Sequence, residues 1–504
     1  MPVRVLADVL WDAGIRRCVV SPGSRNAPII LELSRMGFDM LTVIDERTAA
    51  FVALGMAKAL GKPVVVVCTS GTAALNLAPA LAEAYYSHTP LIAVTADRPE
   101  ADIDQYMGQT IRQNEALQAV VRCSVAIGED MGVEWVNRLV NNAVWTTRRP
   151  VAGPAQINVH LSLPLTETCS APIAEGHSID LLVPKTDMSD LALPFAADSR
   201  ILVLVGSDIG SDIRPTVSAL AASQGVLILA EIQSNLPGAC RMAHFSGNRA
   251  HIEPPDVAVV VGGSFVDPSI LKKLAEWYTP VVTAGLDAEP VTRGLNVVAH
   301  YPMPVADFFR FLAEKVIAAK NYQCECKSAP YEGHPIIDNI LNALPPQAAT
   351  FIANGMCIRH AQHSPRTDLH VMTNRGVSGI DGCTSTAVGA AMAQDMPLFL
   401  ISGDMGAFYD IGALAVDGLP AGFHMFVIDN GGGDIFRHVA TTASLPPNER
   451  ERFFVAPPKA VLADYARNCG VHFSEINADG LSDAVLSAFI TAPGPAILNI
   501  KTTQ

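Results

Sequence analysis

Short apolar runs alternate with helix-patterned segments along the whole 504-residue chain, and this alternation restricts the fold more than any other feature. Runs such as Val64–Val67, Leu91–Thr95 and Leu398–Ser402 are too short for buried helices, and glycine-containing loops or helical segments separate them. Strands that are apolar on both faces and joined through helices form parallel sheets with helical covers and right-handed crossovers. The expected fold class is therefore α/β with doubly wound parallel sheets.

In the first third, strands are expected at Cys18–Val20, Leu41–Ile44, Val64–Val67 and Leu91–Thr95. Helices are expected at Ala49–Ala57 and at Ala73–Tyr86, the second entered through Thr69-Ser70-Gly71-Thr72. The middle third restarts with Ile201–Gly206, Gly225–Glu231, Val257–Gly263 and Pro280–Gly285. It has no Gly-x-Gly-x-x-Gly string, so Gly262-Gly263-Ser264 reads as a tight turn. The last third offers Thr350–Ala353, His370–Thr373, Leu398–Ser402, Met425–Ile428 and Ala496–Ile500. Extended segments at Arg149-Pro150 and Gly153-Pro154 close the first domain near residue 168. Pro172, Pro184 and Pro194 mark a linker over 169–197, and a second linker covers 320–334. Three domains follow, at 1–168, 198–320 and 334–504.

The chain is 49% apolar and 17% charged, which leaves apolar surface for another copy to cover and points to a homo-oligomer. A net charge of −14 without a basic run argues against nucleic acid as a partner. No stretch holds eighteen uninterrupted apolar residues, so no membrane span is expected. Acidic Asp8 lies where a signal peptide would be apolar. The ten cysteines show neither zinc spacing nor a Cys-x-x-Cys pair and read as reduced thiols of a cytoplasmic protein. The thirteen histidines form no metal-ligand grouping.

Two places carry chemistry. Gly403-Asp404 follows one strand-like run, and Asn430-Gly431-Gly432 follows the next. An acid and an amide at the ends of neighbouring strands offer hard oxygen ligands, which suit magnesium with phosphate as co-ligand. The glycines let backbone N–H groups approach a diphosphate. The competing reading is a pair of unrelated strand-ending turns. The second place is Asp45-Glu46-Arg47, after a strand and at the start of a helix. Acids favoured by a helix N-terminus explain it equally well when it is taken alone.

Read together, Asp404, Asn430 and Glu46 resemble the cofactor sites of thiamine-diphosphate enzymes. A more specific resemblance lies in the strings Ser21-Pro22-Gly23-Ser24-Arg25, Asp45-Glu46-Arg47-Thr48-Ala49-Ala50-Phe51, Cys68-Thr69-Ser70-Gly71-Thr72-Ala73, Thr95-Ala96-Asp97-Arg98-Pro99 and Asn374-Arg375-Gly376-Val377-Ser378-Gly379-Ile380-Asp381-Gly382. In this order they resemble the 2-succinyl-5-enolpyruvyl-6-hydroxy-3-cyclohexene-1-carboxylate synthase family of menaquinone biosynthesis. The resemblance implies three doubly wound domains of thiamine-diphosphate-enzyme type: pyrimidine-binding, central, and diphosphate/magnesium-binding. It also implies a homodimer or homotetramer with the active site at the subunit interface. The implied reaction is decarboxylation of 2-oxoglutarate and conjugate addition of the succinyl carbanion equivalent to isochorismate.

Site roles are carried over residue by residue. Glu46 lies against the cofactor pyrimidine and, with Gln109, is catalytic. Ser24, Arg25 and Arg98 bind isochorismate, while Arg359 and Arg375 receive the distal carboxylate of the succinyl portion. Arginine suits these roles because its planar fork binds carboxylates bidentately. Thr72, Ser378, Gly379, Ile380, Gly403, Asp404, Met405, Gly406, Asn430, Gly432, Gly433, Ile435 and Phe436 contact the cofactor. Asp404, Asn430 and the Gly432 carbonyl hold magnesium, with manganese as the alternative ion. Ile380 props the cofactor into its bent shape; the competing reading is an ordinary core isoleucine.

The sequence departs from the family at Gly108, where an asparagine is usual, and at Gly355, where a serine is usual. The Ser-Lys pair expected in the middle domain is replaced by Val266-Asp267-Pro268-Ser269-Ile270-Leu271. These changes concern the acceptor, so another thiamine-diphosphate-dependent 2-oxo-acid decarboxylase or carboligase is the alternative.

Overall fold

Valine explains the first sheet. Val64–Cys68 is completely buried along its length, a pattern open only to a strand covered on both faces. The computed structural model describes residues 2–163, 165, 176–181, 191–207, 209, 213–221, 225–236, 250–287, 290–316, 325–326, 334–364, 366, 368–458 and 462–502. The domain edges at 168 and 320, Pro172, Pro184, and Cys169, Cys240 and Cys324 lie outside these residues, as do most of both expected linkers.

The first sheet contains β1 (Arg17–Val20), β2 (Asp39–Thr42), β3 (Val64–Cys68), β4 (Leu91–Asp97), β5 (Cys123–Ile127) and β6 (Pro154–His160), in the order β2-β1-β3-β4-β6-β5. All its pairings are parallel. The chain runs outward from β1 to β2, then returns to the other side of β1 for β3 and β4. That reversal is the topological switch where open α/β sheets bind ligands at strand carboxyl ends. The two loops flanking it are Ser21–Arg25 and Thr69–Thr72.

The middle sheet uses β7 (Ile201–Val205), β8 (Val226–Ala230), β10 (Val257–Val261), β11 (Pro280–Gly285) and β12 (Asn296–Pro302), ordered β12-β11-β10-β7-β8. Here β9 (Ala250–His251) and β13 (Glu325–Cys326) form a separate two-stranded ribbon. Separate clusters pack the two faces of the sheet, one on Val203, Val259 and Phe308, the other on Leu204, Val260 and Ile270. The third sheet has β14 (Ala349–Ile352), β15 (His370–Met372), β16 (Leu398–Gly403), β17 (Phe423–Asp429), β18 (His472–Asn477) and β19 (Ala496–Lys501). Its order, β15-β14-β16-β17-β19-β18, repeats the topology of the first sheet. The α/β parallel-sheet class is thus what the chain adopts.

Several expected boundaries are corrected. The strand expected at Leu41–Ile44 is Asp39–Thr42, and Ile44 is 84% exposed in the loop that follows. The single helix expected over Ala73–Tyr86 is two, Thr72–Asn76 and Ala78–Tyr86, because Pro79 suits a first turn and not a helix interior. The extended segment expected at Gly153-Pro154 is a strand: Pro154 begins β6, the last of the first sheet in chain order, buried between β4 and β5.

By compactness the chain divides into two units. The first comprises Met1–Leu182, Gly376–Glu475 and Pro493–Asn499; the second comprises Val183–Arg375, Ile476–Ala492 and Ile500–Gln504. Within the first, helices Glu46–Leu60 and Cys383–Met392 pack so closely that a Cβ on Gly55 would lie 1.9 Å from the Thr386 carbonyl. Only glycine permits that approach. Among the described residues, no helix is long and apolar enough to cross a membrane.

Candidate functional site

Helix Glu46–Leu60 begins because Asp45 caps it, accepting the amides of Arg47 at 2.9 Å and Thr48 at 3.3 Å. Capping leaves Glu46 half-buried in the first turn, where the helix dipole favours a carboxylate. Its charge reaches the buried Cys68 thiol, which burial first and Glu46 second hold above its ordinary range. The carboxylate thus stands beside the carboxyl end of β3, next to Thr69-Ser70-Gly71-Thr72. Thr72 is exposed on that loop.

Gly71 sits at φ +80°, and a Cβ there would meet the Gln109 backbone at 3.1 Å. Gln109 itself occupies the left-handed region at φ 56° and is exposed. The two loops are locked by Gln113, which is fully buried. Gln113 accepts the Gly71 amide at 3.0 Å and donates to the Ala96 carbonyl at 2.9 Å and Asn158 Oδ1 at 2.7 Å. Asn158 in turn donates to Asp97 Oδ2 at 2.8 Å, and Thr95 donates to Asn158 Oδ1 at 2.7 Å. Burial raises the Asp97 carboxyl, and bonds from Asn158 and the Arg98 amide draw it back.

Arg25 and Arg98 meet at this same edge. Arg25 is 7% exposed and donates to the Leu161 carbonyl at 2.8 Å. Its guanidinium is lowered by burial and then by the charge of Arg98. Arg98 donates from Nε to the Gly108 carbonyl at 2.7 Å. The carboxylates of Asp102, Asp97 and Glu129 offset part of the lowering at Arg25, and two guanidinium groups at one edge offer a donor set suited to a carboxylate. Ser24 is exposed beside them. Below, Ser21 Oγ, Asn26 Oδ1 and Thr69 Oγ1 are buried without a hydrogen-bond partner among the described residues.

At the end of β16, Asp404 is 3% exposed. Its Oδ1 accepts the Met405 amide at 2.8 Å and its Oδ2 the Gly432 amide at 2.6 Å. Burial pushes its carboxyl up to about 6 despite these amides, and the nearby Asp429 charge adds to the rise. Among the described residues no basic side chain pairs with it. A buried carboxylate in that condition calls for a cation, which is the fit expected of a magnesium ligand. Asn430, half-buried, and Gly432 follow β17, so the structure brings this part of the expected donor set to adjacent strand ends. The Gly432 carbonyl also accepts the Asp434 amide at 2.9 Å, leaving one lone pair for a metal. Gly432 has φ +129°, and a Cβ there would strike the Val455 carbonyl at 2.5 Å. Gly433 packs similarly against the Phe436 ring. Among the described residues no group of three His, Cys, Asp or Glu side chains is poised to hold a metal; this seat has one carboxylate with neutral oxygens.

Between these regions of the first unit runs Gly376–Gly382. The amides of Gly376 and Val377 donate to the two oxygens of Glu83, at 2.9 and 2.8 Å. Glu83 is 1% exposed and pairs with Lys58 at 3.2 Å. This anchor presents Ser378 at φ 63°, Gly379 and half-buried Ile380. The Ile380 carbonyl lies 4.0 Å from where a Gly406 Cβ would be, so Ile380 and Gly406 are neighbours. Ile435 and Phe436 open the short helix after the glycine loop, half-buried. Asp410 supports the same region: fully buried, pushed up to about 6 by burial, it accepts the Ser385 amide and hydroxyl at 2.6 and 2.7 Å.

In the second unit, Arg359 and Arg375 follow β14 and β15, which pair in parallel. Arg359 is exposed, and Arg375 is 9% exposed. Asn354 bridges the two strand ends through the Asn374 carbonyl. Glu83, Gln113, Asn158, Asp410 and Glu231 were not singled out by the sequence. The available signal was an acid or amide inside an apolar run, as in Leu81-Ala82-Glu83-Ala84.

A family model described as "Thiamine pyrophosphate enzyme, N-terminal TPP binding domain" matches residues 3–117. Several curated relatives named 2-succinyl-5-enolpyruvyl-6-hydroxy-3-cyclohexene-1-carboxylate synthase match almost the whole chain. The protein of Desulfotalea psychrophila is 33% identical over 97% of this chain and 95% of its own length. That of Porphyromonas gingivalis is 30% identical over 100% and 94%, and that of Bacteroides fragilis strain YCH46 is 30% identical over 99% and 95%. At that identity over that length, the chain belongs to the 2-succinyl-5-enolpyruvyl-6-hydroxy-3-cyclohexene-1-carboxylate synthase family of thiamine-diphosphate-dependent enzymes.

Proposed function

We propose that this enzyme decarboxylates 2-oxoglutarate and joins the succinyl carbanion equivalent to isochorismate, using thiamine diphosphate with magnesium, or manganese, as the bound ion. Bound thiamine diphosphate supplies the electron sink that makes the 2-oxo acid lose carbon dioxide. Glu46, in the first turn of its helix, would exchange a proton with the cofactor pyrimidine. Asp404, Asn430 and the Gly432 carbonyl would hold the metal, and Met405 and Gly406 would contact the cofactor. Thr72, Ser378, Gly379, Ile380, Gly403, Gly433, Ile435 and Phe436 line the cofactor. Ile435 and Phe436 exclude water from the reacting carbon.

Arg25 and Arg98, with Ser24, hold the isochorismate carboxylates, and catalytic Gln109, beside the cofactor and the substrate, orients the reacting group. Arg359 and Arg375 receive the distal carboxylate of 2-oxoglutarate. The single observation carrying this reading is the Arg25–Arg98 pair, two guanidinium groups of an acidic protein kept close beside a satisfied polar network. The domains at 1–168, 198–320 and 334–504 take the pyrimidine-binding, central and diphosphate-binding roles, and a cytoplasmic homodimer or homotetramer completes the site at its subunit interface.

The test is carbon dioxide release by purified protein with thiamine diphosphate, magnesium and 2-oxoglutarate, with and without isochorismate. Fast release that needs isochorismate supports the proposal. Rapid turnover of pyruvate or benzoylformate instead would support a decarboxylase or carboligase with another acceptor, the reading favoured by Gly108 and Gly355.

A further inference from the structure

Glu231, immediately after β8 in the second unit, is 1% exposed. Its Oε1 accepts the Asp267 amide at 3.1 Å, and the Val266 amide also donates to this carboxylate. Its Oε2 has no hydrogen-bond partner among the described residues. Among the described residues, the charged groups that act on it are Asp267 and Arg375. Burial pushes the Glu231 carboxyl up to about 7; the two amides and Arg375 oppose the rise, while Asp267 adds to it.

The segment held by Glu231 is the one that holds Arg375. From Nη2, Arg375 donates to Ser264 Oγ at 3.3 Å and to the Phe265 carbonyl at 3.1 Å. Ser264 and Phe265 therefore seat the guanidinium, and the next two residues, Val266 and Asp267, are gripped by Glu231. The seat is steadied further by Gln233, whose Nε2 donates to the Ser264 carbonyl at 2.8 Å, and by Ser207 Oγ, which accepts the Ser264 amide at 3.1 Å. Placing a carboxyl where water cannot reach it costs free energy unless a structural task offsets the cost. This is the stretch where the expected Ser-Lys pair is replaced by Val266–Leu271.

We propose that Glu231 is a positioning residue for Arg375: by holding the Val266 and Asp267 amides it fixes Ser264 and Phe265, and with them the guanidinium that receives the 2-oxo acid. The inference rests on the assignment of Arg375 to the distal carboxylate of 2-oxoglutarate. Loss of the grip moves the guanidinium without removing it, and a small misplacement weakens bidentate capture.

The experiment compares Glu231→Ala, Glu231→Gln, Arg375→Ala and Glu231→Ala/Arg375→Ala by steady-state kinetics, with thermal unfolding to verify folding. Glu231→Ala is expected to raise KM for 2-oxoglutarate about 10-fold, with kcat and KM for isochorismate within about 2-fold. Glu231→Gln, whose amide oxygen still accepts backbone N–H groups, should recover most of the loss. The double variant should match Arg375→Ala, because a residue acting through another adds nothing once that other is gone. If the alanine protein fails to fold, Glu231→Ser, also too short to reach the amides, takes its place. Effects that multiply in the double variant, or a fall in kcat with both KM values raised, overturn the proposal. If Arg375→Ala raises KM for 2-oxoglutarate and Glu231→Ala does not, positioning alone fails. If neither variant moves it, the carboxylate assignment falls and the positioning proposal falls with it.

Discussion

Asp97 and Asp404 are both buried aspartates at strand carboxyl ends in the first unit, and burial raises both. Their partners differ. Asp97 accepts from the Asn158 side chain and the Arg98 amide, each at 2.8 Å, and His160 Nδ1 stands 4.0 Å away. It belongs to a network that continues through Gln113 and Thr95. Asp404 is held by backbone amides, at Met405 and Gly432, with Asp429 adding negative charge. A closed network is a structural device, because every member already has what it needs. A buried carboxylate held by amides alone remains short of positive charge, which is how a protein keeps a place for a cation.

That contrast breaks most directly at Asp404. Asp404→Asn should lower turnover by at least about 1000-fold and abolish the rise in Tm produced by magnesium with thiamine diphosphate. The unliganded protein should keep its Tm to within a few degrees, since among the described residues the lost charge has no counter-charge. Collapse of the unliganded fold would make Asp404 structural, like Asp97, and end the distinction. Glu46→Gln comes next: turnover should fall by about 100- to 1000-fold while cofactor binding, followed by fluorescence quenching, stays within a few-fold. Near-full activity would remove Glu46 from the catalytic role.

Asp97→Ala should behave in the opposite way. It strands the Asn158 amide and the Arg98 N–H in a dry interior, costing about 3 kcal/mol of unfolding free energy by denaturant titration. Activity should suffer mainly as a higher KM for isochorismate, because Arg98 begins at that N–H. A stability loss below about 1 kcal/mol would mean that the network is not cooperative.

What the sequence made legible follows from the same physics. The runs β3, β10 and β16 stood out because valine, leucine and isoleucine cover both faces of a buried strand. By contrast, β6 passed unnoticed as a strand, since Gln156, Asn158 and His160 alternate along it, though all are buried. Their burial makes sense only once partners on β4 and on the loop after it are in place. The strand β18 was missed for another reason: it is a sheet edge, largely exposed, with no apolar run. Glu46, Asp404 and Gly432 were legible because each belongs to a local strand-to-loop pattern. Glu83 was not, because its task lies 293 residues away at Gly376. Likewise, Gln113 explains Gly71 only after the fold joins two loops. Local chemistry can be read along the chain, whereas the residues that hold it in place are chosen by tertiary contact.

The last test concerns pH, and it separates Asp404 from the equally shifted Asp410 without mutation of either. Asp404 moves from an ordinary 3.8 to about 6 in the folded chain, as does Asp410. Between these values the folded state binds more protons than the unfolded one, so unliganded stability falls as pH rises from about 4 to about 6. The contribution is fully present below the unfolded value and gone above the folded one, on the order of 3 kcal/mol for each group. In the proposed metal seat magnesium would compete with the proton at Asp404, so the bound metal should cancel that group's share and leave those of Asp410, Asp97 and Glu231. Stability measured from pH 4 to 8, with and without magnesium and thiamine diphosphate, should therefore show a shallower fall in the loaded protein. Equal slopes in the two states would mean that the proton and the metal do not share Asp404, and that the buried carboxylate beside Gly432 serves the fold alone.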